Sequence, residues 1–110
     1  MIGEDTDRSR ASGTIAYIVL EGDTTHVMSG ATVYAMKTER EVSGNPRTLS
    51  IPGGDTAVAT QSSMYGRDGS WALTRSVSGS SMSVEVDEDT IGDTGRGHTT
   101  EAVSIIVGFA

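Results

Sequence analysis

Apolar and polar residues alternate strictly through Met82, Val84 and Val86, interleaved with Ser83, Glu85 and Asp87. A period of two belongs to a strand with one wet face, so the spacing predicts a strand over 81–88. At the end of the chain Val103, Ile105, Val107 and Phe109 form one face, and Ala102, Ser104, Ile106 and Gly108 the other. A firmly apolar face backed by a small, partly apolar one predicts a strand central in its sheet. The run TIAYIVL, 14–20, is apolar on both faces. Its β-branched content and shortness predict a buried strand rather than a helix.

Shorter β-like stretches over 32–36, 48–51, 56–64 and 70–77 are bounded by turn-forming strings: SGNP at 43–46, PGGD at 52–55, GRDG at 66–69 and SGS at 78–80. Residues 36–42 (MKTEREV) carry either a helical turn or a strand extension with a loop. Seven or eight strands separated by turns, with no long helix, predict an all-β fold, an antiparallel β-sandwich, with a small barrel as the alternative. The 110 residues hold one domain, 1–110, with 1–13 as a candidate N-terminal arm.

The chain also echoes itself. Glu4-Asp5-Thr6-Asp7 and Arg10 precede Ile15-Ala16-Tyr17-Ile18-Val19, as Glu88-Asp89-Thr90, Asp93 and Arg96 precede Val103-Ser104-Ile105-Ile106-Val107. A segment that repeats the C-terminal strand is expected to sit beside it or to complete a neighbour's sheet. Arg8, Arg10, Ile15, Tyr17 and Val19 are therefore candidate interface residues, with Arg8 and Arg10 within reach of the carboxylates between Glu85 and Asp93.

Composition narrows the function classes. Gly, Ser and Thr contribute 14 residues each, which suits turn-rich β structure, and the absence of cysteine removes disulfides, thiolate metal centres and thiol nucleophiles. A net charge of −7, with Lys37 the only lysine, opposes a grip on nucleic acid or an anionic membrane surface. The longest apolar run is far below the roughly 20 residues that span a bilayer, and the polar start MIGEDTDRSR is not that of a signal peptide.

The most specific string is Glu88-Asp89-Thr90, Asp93, then Arg96-Gly97-His98-Thr99-Thr100-Glu101 leading into the terminal strand. It resembles the acidic loop, HTTE string and final strand that end β-sandwich repeat modules of bacterial surface and phage proteins, modules similar to the H-type lectin domain. The resemblance extends over 56–110, through Ala57 to Ser62, the surroundings of Trp71 and Ser80 to Val86. The segment 22–55 has no counterpart in it, and the N-terminal echo has Ser12 and Gly13 near the places of His and Glu. What the resemblance implies is an antiparallel sandwich, surface display, oligomers and, in some members, sugar binding. It assigns no glycan-binding residue to a position in this chain.

Five carboxylates, Glu85, Asp87, Glu88, Asp89 and Asp93, crowd into nine positions. They repel one another unless a cation or Arg96 and His98 fold back on them. Asp87-Glu88-Asp89-Thr90-Ile91-Gly92 opens like a calcium loop, with oxygen at positions 1 and 3 and glycine at 6, but Ile91 and His98 occupy positions 5 and 12, where ligands belong. Asp87, Asp89 and Asp93 are thus candidates for a weak calcium site, the one cofactor expected, against a structural alternative in which Arg96 and His98 pin the turn before Glu101.

No Gly-x-Ser-x-Gly elbow, Walker string, dinucleotide fingerprint or paired-histidine metal pattern is present, so a non-enzymatic role is expected. Among five aromatics, Trp71 either stacks on a sugar or fills the core, and Tyr65, preceding the 66–69 turn, is the better candidate for exposure; both are candidate ligand-binding residues. The reading that results is a structural or adhesive subunit of a surface assembly, most specifically a phage virion accessory protein of the capsid-decoration or tail kind. Its partners would be copies of itself or a larger protein lattice, with glycans a further candidate, and its location a virion or extracellular surface. The alternative is a lectin-like carbohydrate-binding module, or a repeat of an extracellular filament or adhesin.

Overall fold

The computed structural model describes residues 9, 11–90 and 94–109. Seven strands, β1 Thr24–Met28, β2 Ala31–Lys37, β3 Arg47–Ser50, β4 Thr56–Gln61, β5 Ser70–Ser78, β6 Ser81–Glu88 and β7 Val103–Phe109, follow one another with no helix among the described residues. They form two antiparallel sheets, one ordered β1-β2-β7-β4 and the other β3-β6-β5. The strand predicted over 81–88 is β6, and the C-terminal strand is central as its two-faced pattern requires, paired with β2 on one side and β4 on the other.

Alternation builds the core. Val103, Ile105 and Val107 face inward from β7 and meet Met82, Val84 and Val86 from β6, with Leu49, Ile51 and Val42 closing the cluster. Tyr34, Met36, Ala57, Ala59, Ala72 and Val77 pack around it. These side chains, drawn from both sheets, make the fold an antiparallel β-sandwich.

One strand was not legible in the pattern. β1, TTHVM, is joined to β2 by Ser29 and Gly30, both at positive φ (48° and 84°), the backbone of a two-residue hairpin turn whose twist matches the strands it joins. Its weak alternation hides it, because β1 lies at a sheet edge and needs no strong apolar face. Residues 36–42 resolve into the end of β2 followed by a loop, in which Val42 bridges Glu101.

The prediction for 14–20 is corrected. That segment forms no strand in this chain, and Ile15, Tyr17 and Val19 are 84%, 84% and 83% exposed. Both sides of β7 are already taken by β2 and β4, so the echo of its sequence has no place beside it. Instead residues 16–20 lie against the outward face of the four-stranded sheet, bordering a groove with Ala35, Val58, Thr60, Ser104 and Ile106. Arg8 and Arg10 lie outside the described residues.

Candidate functional site

The HTTE string sits where the chain enters β7. The Glu101 backbone bridges Val42, its N–H donating to the Val42 carbonyl at 2.7 Å, which fixes where its side chain starts. That side chain is fully buried and reaches into the loop after β4. Tyr65 N donates to both carboxylate oxygens at 2.8 and 2.9 Å, Gly66 N to Oε1 at 2.8 Å, and Ser63 Oγ to Oε2 at 2.6 Å. Ser63 Oγ in turn accepts from Ala102 N at 2.7 Å, and Ser62 N donates to the Ala102 carbonyl at 2.9 Å. The loop is zipped to the start of β7 through its main chain. Burial alone would raise the Glu101 pKa, but the donors from Gly66, Ser63, Tyr65 and His98 outweigh it and hold the carboxyl down at about 2.

His98 completes the group. Its Nε2 lies 3.0 Å from Glu101 Oε1 and 3.3 Å from Ser70 Oγ. Because the ionised Glu101 only accepts, Nε2 must carry a hydrogen. Ser70 Oγ spends its own proton on Gln61 Oε1 at 2.8 Å, and therefore accepts from His98. On the other side of the ring, Nδ1 stands 3.5 Å from Glu88 Oε2. Glu88 is buried, and its Oε2 has no hydrogen-bond partner among the described residues. Desolvation, and then Asp68 as a hydrogen-bond partner and a like charge, push its pKa up against the opposing pull of His98.

Serine, histidine and glutamate thus converge, yet the chemistry is not that of an activated nucleophile. Ser70 is 1% exposed, its proton points at Gln61, and the ring nitrogen facing it is a donor and not a base. The arrangement is a buried latch that locks the loop 62–66 onto β7. Gly66 is required by it, since a Cβ there would run into the imidazole of His98. Arg96 meets Asp87, and His98 stands between Glu101 and Glu88; the partners of His98 and Glu101 in 63–70 are the part that sequence reasoning missed. They lie 28 to 38 residues away, and nothing in a string of mostly small polar residues announces them.

Above the latch, Tyr65 is 57% exposed, as its place before the turn suggested, and the Arg40 guanidinium sits 3.9 Å from its ring centroid. Arg40 Nε donates to the Thr100 carbonyl at 3.1 Å, so the stacked pair is held by the HTTE string as well. Trp71 lies elsewhere. It pairs with Asp87 across β5 and β6, alternating with the inward-facing Ser70 and Ala72, and so projects half-buried from the outer face of the three-stranded sheet. The two candidate aromatics therefore belong to different surfaces, a loop and a sheet face.

Of the candidate calcium ligands, Asp87 is engaged by an arginine. Arg96 takes both oxygens of Asp87, Nε at 3.1 Å and NH2 at 3.2 Å, while Asp93 lies outside the described residues. Among the described residues no three His, Asp or Glu side chains stand in metal-holding geometry. Glu85, a partner expected for the N-terminal arginines, is paired with Arg75. No family model matches the sequence, and no curated protein or solved structure matches it.

Proposed function

We propose that the protein is a non-enzymatic structural or adhesive subunit of a surface assembly, of the kind that decorates a phage capsid or builds a tail. The observation that carries this reading is the exposed segment 14–20. Seven consecutive uncharged residues, five of them large and apolar or aromatic, lie outside the core with Ile15, Tyr17 and Val19 more than four-fifths exposed. A surface of this character is ordinarily covered by protein. The stiff sandwich and its latched loop supply a rigid body to carry it. The virion placement rests on the likeness of the 88–109 ending to phage and bacterial surface modules.

Particles purified from the source by gradient centrifugation test it. Quantitative mass spectrometry is expected to find this chain at a fixed ratio to the major structural protein. Recovery of the chain only in the soluble fraction contradicts the proposal.

A second reading, a lectin-like module, draws on Tyr65, an exposed ring with a cation over it and its backbone pinned by Glu101. A glycan array showing binding that Tyr65→Ala removes, with folding intact, favours it. Binding lost instead with Trp71→Ala moves the site to the sheet face.

A further inference from the structure

The two sheets are unequal, four strands over three. β4 and β5 pack together at one side, so counting across the two sheet orders from that side matches β7 with β6 and β2 with β3 and leaves β1 with no counterpart among the described strands. The exposure of Val27 records this. Val27 pairs with Thr32 and Thr25 with Tyr34, so both lie on the side of the sheet that Tyr34 turns to the core. Val27 is nevertheless 74% exposed. Beside this uncovered shelf runs β3, a four-residue strand whose only partner among the described strands is β6. An inward shelf of Thr25 and the exposed Val27, next to an open strand edge, is an acceptor site for one more strand.

The chain carries a segment suited to it. Residues 14–20 match the seven-residue length of β7, share its β-branched, two-faced pattern, hold no charge and pair with no strand of their own. Their own copy holds them on the wrong side. They border Ala35, Val58 and Ile106 on the outward face, and they join β1 through only residues 21–23, where Asp23 N is tied to the Ala35 carbonyl at 2.7 Å. We propose that residues 14–20 of one copy add to a second copy as the fourth strand of its smaller sheet, beside β3 and beneath β1. The occupant is this chain itself, and the exchange covers Val27 of the acceptor while burying one face of the donor strand. This deepens the subunit reading by naming the linkage, and it rests on that reading.

The chain has no cysteine, so site-directed cross-linking reports on it without background. Tyr17→Cys and Val27→Cys, made in separate chains, mixed, refolded together and treated with a short bis-maleimide, are expected to give a mixed dimer. Its yield should exceed that of Tyr17→Cys with Ser76→Cys, a surface position of β5, by about tenfold, because assembled partners meet at high effective concentration. Sedimentation velocity of a Tyr17→Lys, Val19→Lys variant with an unchanged thermal midpoint is expected to show loss of self-association. Equal yields for the two pairings overturn the proposal. So does a cross-link that forms only within one chain bearing both cysteines, which would mean that residues 14–20 serve their own shelf. Self-association that survives the lysine variant overturns the exchange while leaving the subunit reading standing. A chain monomeric in solution yet present on purified particles does the same, and absence from particles overturns the subunit reading itself.

Discussion

At Glu101 a single buried carboxylate does what a longer stretch of sheet would otherwise do, because its oxygens satisfy the main-chain N–H groups that the loop after β4 turns inward. Its pKa is depressed from 4.5 to about 2. A carboxyl of this kind stabilises the fold fully above its unfolded value, and the contribution is lost as pH falls from about 5 through 2. The shift corresponds to about 3 kcal/mol at neutral pH. Glu101→Gln should cost an amount of that order at pH 7 and flatten the acid limb of the stability curve, measured by urea unfolding from pH 7 to 3. Glu88 has the opposite sign. With its pKa raised, the folded state holds the extra proton, so its contribution is most favourable below 4.5 and declines as pH rises through the folded value. Glu88→Gln is therefore expected to raise stability at pH 7, by about 1 kcal/mol, and a clear loss there would contradict the assignment. The distinctive pair His98 and Glu101 was legible in the sequence as a short spaced string. Ser63, Tyr65, Gly66 and Ser70 were not, since only folding brings β4, β5 and β7 to the same point.

Among the elements, β6 and β7 could be drawn from the sequence almost residue by residue, because a strand packed against another sheet must alternate and a central one must be apolar or small on both faces. β1 escaped notice for the complementary reason: an edge strand with solvent on its inner side has no apolar pattern to display. The segment 14–20 misled in the other direction. Apolar content on both faces signals burial, but in this chain the segment lies exposed, and on the exchange proposed above its burial falls in a second copy. Two changes probe the elements directly. Gly66→Ala forces a methyl into the His98 ring and should destabilise the domain by about 2 kcal/mol, an overpacking effect readable in a thermal melt. Ser29→Asn places a residue tolerant of positive φ in the β1–β2 turn, beside Gly30, and should add about 0.5 kcal/mol.

The whole molecule is an uneven sandwich with a core confined between two three-strand stacks, an overhanging edge strand and an exposed apolar segment, 14–20, of the length of a sheet strand. Each of those features is awkward for a lone domain and useful for a repeated one. Residues 14–20 hold no charge and the shelf beneath β1 offers Thr25 and Val27, so the chain's net charge of −7 is carried elsewhere and does not oppose contact there. On this account, solubility of the free subunit would come from that charge, and association from residues 14–20. The central claim is that residues 14–20 exist to be covered by another copy. Sedimentation velocity of the intact protein beside a form lacking residues 1–20, from low to tens of micromolar, tests it most directly. The account predicts a concentration-dependent dimer or larger species for the intact chain and a folded monomer for the shortened one. A clean monomer for both, or the same assembly from both, would contradict it.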